Sequence, residues 1–291
     1  MRAGRVPPTR PAFAGFPDSR TVSSSLVASL TERALDVNAA NLALGNDVYE
    51  LTGATFVRNT ALPNIYDANH IRDATASTPH DIDALLAAAD REYAASSHRR
   101  FTADHRTPPE LLARLTLDGY SRSEGLVLLL EGELRTQPKP FDIRPLVTER
   151  DWEEYWTLSL EDWVEGMAKR NDPEAAQEHV ARQMWAARRR KQPPTQYWMA
   201  YKDERPIAYF NSWAGLDGVG QVEDLFTRRP FRHRGAATAL IHHCVTDARA
   251  KGAGPVVIVA DPTDTPMHMY AAMGFRPVAL TVNYLKKLDP A

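Results

Sequence analysis

The segment FTRRPFRHRGAATALI, residues 226–241, places five arginine or histidine residues within positions 228–235 and then changes abruptly to small residues. The stretch GQVEDLFTRR predicts a strand, and GAATALIHHCVTDARAKG predicts a helix, so the basic residues fall in the turn between them. This turn is either a solvated basic loop before an amphipathic helix or a backbone cradle for phosphate groups. Motifs and predicted elements elsewhere in the sequence are needed to distinguish between these two interpretations.

The composition is that of a globular protein. The chain has 291 residues, of which 43% are hydrophobic and 25% charged, and this length favours two domains. The formal net charge of -2 gives no general attraction to nucleic acid or to an anionic membrane. The longest apolar runs, GLVLLL and GPVVIVA, have strand length rather than the roughly 20 residues of a spanning helix. The single cysteine, Cys244, excludes an intrachain disulfide, so we expect a cytoplasmic protein.

The polar, proline-containing segment RTQPKPFDIRPL divides the chain into two halves. With the boundary near residue 138, the sequence predicts a flexible tail over residues 1–22, an N-terminal domain over 23–137 and a C-terminal domain over 138–291. The C-terminal half predicts the order β-α-α-β-β-β-α-β-α-β. This order indicates an α/β fold with a mixed central sheet.

A phosphate cradle requires free backbone N–H groups and small side chains. The first turn of a helix supplies unpaired N–H groups and about half a positive charge. Gly235, Ala236 and Ala237 are too small to keep a phosphate from the backbone, and Arg232 and Arg234 lie beside them. The motif alone fits a solvated helix entrance equally well, because short motifs recur by chance. Its place between a predicted strand and a predicted helix favours the anion site.

These residues resemble the coenzyme A signature of the GNAT acyltransferase superfamily. That signature is Arg or Gln, any two residues, Gly, any residue, and Gly or Ala, and residues 232–237 read RHRGAA. The segment MYAAMGF is similar to a second hallmark of the family, a tyrosine followed four residues later by Gly-Phe, with Tyr270 as the tyrosine. The element order of residues 141–288 also matches. The resemblance implies the GNAT N-acyltransferase fold and acetyl-CoA as cosubstrate.

The resemblance also implies where the coenzyme would lie. Backbone N–H groups of residues 233–238 would bind the pyrophosphate, and the pantetheine arm would pair with the preceding strand through main-chain hydrogen bonds. The strands around Leu225 and Ile258 would splay apart to admit the thioester. Asp261 stands where many members have an asparagine that contacts the arm, so that contact is not carried over. The implied cofactor-binding residues are Leu225, Phe226, Thr227, Arg232, His233, Arg234, Gly235, Ala236, Ala237 and Thr238.

Acyl transfer to an amine requires a base for the nucleophile. Glu223 matches the position at which several polyamine-acetylating members have a carboxylate base, and the resemblance implies that it acts through water. Adjacent strand residues point to opposite faces, so only one of Glu223 and Asp224 lines the cleft unless a bulge intervenes. Glu223 is expected to share a face with Gln221 and Leu225.

The thioester carbonyl must be polarised and the departing thiolate protonated. Tyr270 matches the family tyrosine that protonates the thiolate, and a backbone N–H near Phe226 or Thr227 would polarise the carbonyl. The ordinary structural alternatives are a solvated strand carboxylate for Glu223 and a half-buried packing residue for Tyr270.

The helix predicted from TERDWEEYWTLSLEDWVEG would help to wall the acceptor site in this family. We expect its tryptophans, including Trp163, to belong to the core. Its acidic residues Glu161, Asp162 and Glu165 are expected on a solvated face, with attraction of a cationic acceptor as the alternative.

The N-terminal half lacks an Arg-x-x-Gly-x-Ala cradle, but LTLDGYSRSEGLVLLLEGEL faintly resembles the last helix and strand of the same family. This suggests a degenerate second GNAT domain, as in tandem members such as mycothiol synthase. Without a cradle it would complete the acceptor pocket or the sheet. A helix cap at Asp81 and another at Asp264 are further local predictions.

The remaining features predict no other cofactor. His242, His243 and Cys244 are contiguous on a helix and do not share one face, so we expect no metal. The basic run AARRRK, residues 186–191, is accounted for by the dipole at a helix C-terminus, while an RNA or phosphate contact stays open.

The sequence therefore predicts an acetyl-CoA-dependent N-acyltransferase that acts on a small-molecule amine by direct transfer. One alternative is a GNAT-fold transferase that takes its acyl group from aminoacyl-tRNA. Another is a non-catalytic acyl-CoA-binding protein, because the fold does not fix the function. The acceptor, the acyl group and a homodimeric state are left open.

Overall fold

The computed structural model describes residues 29–169, 177–263 and 266–288. The predicted tail, residues 1–22, and the predicted cap Asp264 lie outside this part of the chain. The helices are α1 (Leu30–Ala43), α2 (Pro79–Glu92), α3 (Pro109–Leu117), α4 (Glu149–Lys169), α5 (Glu178–Arg190), α6 (Ala236–Ala250) and α7 (Pro266–Met273). The strands are β1 (Asp47–Leu51), β2 (Ala54–Arg58), β3 (His70–Arg72), β4 (His98–Ala103), β5 (Ser121–Leu130), β6 (Asp142–Pro145), β7 (Thr195–Lys202), β8 (Arg205–Leu216), β9 (Val219–Thr227), β10 (Val256–Ala260) and β11 (Arg276–Lys287).

All eleven strands form one sheet in the order β1-β2-β3-β4-β11-β5-β10-β9-β8-β7-β6. The element order predicted for the C-terminal half is confirmed. The two halves exchange their last strands. β5 from the N-terminal half lies between β10 and β11, with Leu128 opposite Ile258. β11 from the C-terminal half lies between β4 and β5, with Tyr284 opposite Phe101. The boundary near residue 138 therefore divides the chain but not the sheet.

β5 is buried on both faces where it pairs with β10, which explains its continuous apolar run. Leu128 and Leu130 pack in the cluster that contains α6 and α7. Val127 and Leu129 pack in the cluster that contains α1. Because adjacent strand residues point to opposite faces, α6 and α7 cover one face of the sheet and α1 covers the other.

Helix α4 lies on the same face as α1. On β8, Tyr209 packs in the cluster that includes α4, Phe210 packs in the α6 cluster, and Trp213 packs in the α1 cluster. Residues 209 and 213 have the same parity along the strand and so share a face. The N-terminal helix α1 and the C-terminal helices α4 and α5 therefore stand side by side over the sheet. None of the helices in the described ranges is long and apolar enough to cross a bilayer.

Helix α2 begins one turn earlier than its predicted cap. Its N-cap is Thr78, whose side chain accepts a hydrogen bond from the backbone N–H of Asp81 at 3.2 Å. Pro79 occupies the first helical position, where a missing N–H costs no intrahelical bond. Asp81 therefore lies in the first turn, where its negative charge interacts favourably with the helix dipole. Its assignment as the N-cap residue is wrong.

A glycine lies where the two halves meet. Gly45 follows α1 with φ of 76°, and a Cβ added there would lie 2.6 Å from the carbonyl oxygen of Arg190 at the end of α5. We expect Gly45→Ala to lower the free energy of unfolding by about 1–3 kcal/mol more than a change without this overlap. Gly119→Ala is the matched control, because Gly119 has φ of 81° and a Cβ there would meet no atom within 4 Å. Urea unfolding of both variants measures the difference. Equal losses in the free energy of unfolding would show that the backbone near Gly45 and Arg190 can move apart to accept a Cβ without loss of stability.

Candidate functional site

The predicted strand, turn and helix around the basic segment are present. β9 ends at Thr227, a short 3₁₀ helix spans Arg229–Phe231, and α6 begins at Ala236. The backbone turns through left-handed conformations at His233, with φ of 59°, and at Gly235, with φ of 100°. The N–H groups of the first turn of α6 have no acceptor within the helix and border this turn. The backbone therefore offers the donors that a phosphate cradle requires.

Three of the basic residues are held by α4. Arg228 pairs with Glu161 at 2.6 Å, and both Arg229 and Arg232 pair with Glu165, at 3.1 and 2.8 Å. Hydrogen bonding from Arg232 is the main cause that lowers the pKa of Glu165 to about 2. Glu161 and Glu165 are therefore tied to the cradle turn. Glu161 is exposed, as expected, whereas only 12% of the Glu165 side chain is exposed, so the expectation of a solvated face is wrong for Glu165. Arg232, predicted as a phosphate ligand, also donates to the carbonyl oxygen of Thr227 at 2.8 Å and braces the turn.

Two cations remain at the cradle. Arg234 makes no ion pair within the described residues, and its guanidinium lies 5.9 Å from the centre of the Phe231 ring. Lys139 comes from the segment between the halves, and its Cδ lies 3.2 Å from where a Cβ on Gly235 would be. Lys139 could not be predicted as part of the cradle, because its position depends on the path of that segment over α6.

The strands that flank the cradle helix diverge, as predicted. β9 and β10 pair in parallel only at Gly220 with Val256 and at Gln221 with Val257. Beyond this point the Glu223 side chain bridges them, because its Oε1 accepts the backbone N–H of Val259 at 2.9 Å. The same oxygen accepts from Nε2 of Gln221 at 3.0 Å. Glu223 therefore lies in the opening between the two strands.

A β-bulge sets the direction of the carboxylates on β9. Asn211 on β8 lies opposite Glu223, and Tyr209 lies opposite Phe226, so two residues of β9 face one residue of β8. Asp224 has φ of 64°, the left-handed conformation that a bulge can impose. Its side chain turns to the face of α4 and α5, while Leu225 packs with the α6 cluster. The expectation that Leu225 shares a face with Glu223 is wrong, since the bulge inverts the alternation.

The environments of the two carboxyl groups shift their pKa values apart. Burial, and then the charge of Asp224, raise the pKa of Glu223 to about 7. Burial also acts to raise the pKa of Asp224, but the charges of Arg188 and Lys191 outweigh it, and the pKa of Asp224 is lowered. Near neutral pH, Asp224 stays ionised while Glu223 can gain or lose a proton. Such a divided pair is typical of acid–base chemistry.

A cavity of about 230 Å³ lies between the two halves on the face of α4 and α5. Asp224 reaches it from β9, and the N-terminal half contributes residues from the end of α1, from the turn after it and from the segment before β3. Trp163 lines it too, so the expectation that this tryptophan belongs to the core is wrong. The lining residues are Leu42, Leu44, Asn46, Asp67, Ala68, Asp162, Trp163, Gly166, Met167, Met184, Ala187, Arg188, Lys191 and Asp224.

Arg188 organises the charged side of this cavity. Its guanidinium lies 3.2 Å from Oδ1 of Asp224 and 3.6 Å from Oδ2 of Asp162. It donates to the Tyr209 hydroxyl at 2.9 Å, and that hydroxyl donates to Asp162 at 2.6 Å. Burial raises the pKa of Asp162, although the Arg188 charge acts against it. The sequence could not distinguish Arg188 from its two neighbours in the run of arginines.

Tyr270 is 5% exposed and packs with the α6 and α7 cluster, its ring 6.1 Å from that of Phe275. It lies on α7, which follows β10, the second strand of the opening. Its role as the acid stays a prediction. Asp261 accepts from the backbone N–H of Thr263 at 2.8 Å, so it shapes the turn after β10.

The described residues contain no group of three or more His, Cys, Asp or Glu side chains placed to hold a metal ion. The two histidines of α6 have separate surroundings. His242 Nε2 lies 3.1 Å from the Thr136 hydroxyl, and the His243 ring lies 4.2 Å from the Trp198 ring.

The cradle, the splayed strands and the bulge together make the geometry specific enough for comparison with known proteins. The family model described as Acetyltransferase (GNAT) family matches residues 150–275. These residues are a GNAT acetyltransferase domain. The matched range includes Glu223, the cradle and Tyr270. No curated protein sequence is detectably similar to the chain.

Solved structures share the fold across both halves. A functionally unknown conserved protein from Staphylococcus epidermidis has a TM-score of 0.63 at 17% identity, with 84% of this chain and 94% of that chain covered. A GCN5-related N-acetyltransferase from Kribbella flavida has a TM-score of 0.63 at 15% identity, with 90% and 98% covered. A tandem GNAT protein from the clavulanic acid biosynthesis pathway has a TM-score of 0.54 at 14% identity, with 76% of each chain covered. The fold that surrounds the matched residues is thus shared with GNAT proteins, one of which is a tandem GNAT protein.

Proposed function

We propose that the protein transfers an acetyl or other acyl group from acyl-CoA to the amine of a small molecule held in the cavity between the halves. The observation that carries the proposal is the place of Glu223. It lies in the opening between β9 and β10, and the next residue, Asp224, lines the cavity. A donor entering from the cradle side and an acceptor in the cavity would meet beside a carboxyl group.

The cradle suits the cosubstrate. Free N–H groups of residues 233–238 border a turn whose small side chains leave the backbone accessible, and Arg234 and Lys139 add positive charge. The pantetheine arm would take the open edge of β9 beside Leu225, Phe226 and Thr227, where β10 has already diverged. These residues bind and orient the donor, and they do so mainly through the backbone.

Glu223 acts as the base in this proposal, and its pKa of about 7 suits proton transfer at neutral pH. Glu223 takes a proton from the bound ammonium group through water, and the neutral amine nitrogen then attacks the thioester carbonyl and forms the C–N bond. A backbone N–H near Phe226 or Thr227 stabilises the oxyanion. The C–S bond then breaks, Tyr270 gives a proton to the thiolate, and the surplus proton on the former amine nitrogen passes to the tyrosinate and restores its hydroxyl. Asp224, kept ionised by Arg188, attracts the protonated amine into the cavity.

The basic run at residues 188–191 favoured an aminoacyl-tRNA donor, but only Arg190 of its four members is an exposed residue. Arg188 and Lys191 line the cavity, and Arg189 pairs with Glu149. This arrangement leaves less free positive charge on the surface for a polyanion. Salt dependence tests the point, because binding to tRNA would weaken steeply with added salt.

Calorimetric titration of acetyl-CoA, followed by a screen of amines for release of free thiol, tests the proposed function. We expect binding in the micromolar range and thiol release with at least one class of amine. Binding without thiol release by any amine would favour the non-catalytic acyl-CoA-binding protein. Absence of binding would refute the donor assignment, and aminoacyl-tRNA would then be titrated.

A further inference from the structure

Lys191 is the cation of the cavity that has no carboxylate partner. Arg188, the other lining cation, is shared between Asp162 and Asp224, whereas Lys191 makes no ion pair within the described residues. Its Nζ donates to Oδ1 of Asn41 on α1 at 3.0 Å. A lysine ammonium has three N–H groups, so two donors remain for a ligand.

The amide of Asn41 holds this ammonium in place and adds a second unpaired donor. Asn41 is 2% exposed, and its Nδ2 is buried without a hydrogen-bond partner in the described structure. A buried donor without an acceptor costs free energy, so buried polar groups are normally paired. The covalent geometry of the amide keeps Nδ2 within a few ångströms of the Lys191 ammonium. Lys191 lines the cavity and Asn41 does not, so an anionic group in the cavity would be bound by the ammonium that Asn41 positions.

The rest of the cavity carries the opposite sign. Asp162 and Asp224 both contact Arg188, and Asp224, whose pKa is lowered, provides a carboxylate at the side next to Glu223. Asp67 is paired with Arg100, and the charge of Lys191 acts on Asp67 and Asp224 without forming an ion pair with either. The cavity therefore presents a negative site for an amine and a separate positive site.

We propose that the acceptor is an amino acid or a similar zwitterionic amine, whose carboxylate is bound by Lys191 and whose amino group lies at Asp224. This inference rests on the proposed function and specifies its substrate class. The volume of about 230 Å³ is smaller than the roughly 300–1,000 Å³ of pockets for drug-sized ligands, and it suits a molecule of amino-acid size. Leu42, Leu44, Met167 and Met184 line the cavity and favour an apolar side chain.

Matched acceptors test the inference. Leucine, methionine and phenylalanine are each compared with the corresponding amide and with the decarboxylated amine, as acceptors from acetyl-CoA. In the wild-type protein we expect kcat/KM to be roughly 10- to 100-fold higher for at least one amino acid than for its uncharged amide, because a hydrogen bond to a charged group is lost. In Lys191→Met the ratio should fall to about one, and in Lys191→Arg the preference should be retained.

Two controls separate this inference from the proposed function. Affinity for acetyl-CoA and the melting temperature should be the same in Lys191→Met as in Lys191→Arg, which excludes a loss of folding. If the wild-type protein acetylates amides and decarboxylated amines as well as amino acids, the inference is wrong and the proposed function stands. If nothing is acetylated, calorimetric titration of the same amino acids still decides: binding that disappears in Lys191→Met supports the inference, and absence of any difference overturns it.

Discussion

Glu223→Gln is expected to lower kcat for acyl transfer by about 10²–10⁴-fold, the usual contribution of a positioned general base. The affinity for acetyl-CoA should change little, because the cradle and the open edge of β9 do not depend on the Glu223 charge. Glutamine keeps an oxygen that can accept the N–H of Val259 and so preserves the bridge between β9 and β10. Steady-state kinetics together with calorimetry measures the two effects separately.

The pH profile gives this prediction its sharpest form. The base must be deprotonated to act, so kcat/KM should rise with pH and level off above the pKa of Glu223, about 7. The rising limb should be absent from Glu223→Gln. Asp224→Asn is the matched control: it removes a charge that raises the pKa of Glu223, so the limb should remain and move to lower pH. A rising limb that persists in Glu223→Gln would assign the base to another group.

Folding stability reports on the same carboxyl group. The pKa of Glu223 is raised from the ordinary 4.5 to about 7, so between these values the folded state binds more protons than the unfolded state. The contribution of Glu223 to the free energy of unfolding therefore falls as pH rises through this window. Glu223→Gln should remove that dependence, and the difference between the two stability curves isolates it. Loss of activity in a variant that is as stable as the wild type at pH 8 points to chemistry rather than to folding.

The parts of the site that the sequence predicts are those encoded locally. The cradle depends on consecutive residues, since a strand end, small residues and a helix start occur within residues 226–241. Glycine at position 235 and the following alanines are needed at those positions whatever packs around them. The splay of β9 from β10 is implied by the resemblance rather than by a local pattern, because β10 follows α6 and lies outside this segment.

The parts that the sequence does not predict depend on contacts between distant residues. Strand alternation predicts a single carboxylate in the cleft, and only the register of β8 against β9 reveals the bulge at Asp224. Arg188 and Lys191 look like a basic helix end, because their roles appear only when α5 packs beside α1. The exchange of β5 and β11 between the halves is a property of sheet order, which local patterns do not specify.

The second large effect is expected from a substitution in the cradle that weakens the binding of acetyl-CoA. Gly235→Glu is expected to weaken acetyl-CoA binding by roughly a thousandfold, since two like charges about 4 Å apart near a protein surface repel by about 4 kcal/mol. The side chain would also meet Lys139, whose Cδ lies 3.2 Å from the Cβ position, and could satisfy that cation in place of the phosphate. Calorimetry at fixed ionic strength measures the loss.

Gly252→Glu makes the same chemical change at the other end of α6 and separates charge at the cradle from strain in the backbone. Gly252 has φ of 107°, close to the 100° of Gly235, and a Cβ there would meet no atom within 4 Å. Both variants therefore carry a similar cost of a left-handed glutamate, but only one places a carboxylate among the free N–H groups of the helix start. We expect Gly252→Glu to bind acetyl-CoA as the wild type does. If the two variants bind equally well, the basic turn at residues 226–241 is not the donor site, and Arg228, Arg229 and Arg232 serve only to hold α4 through Glu161 and Glu165.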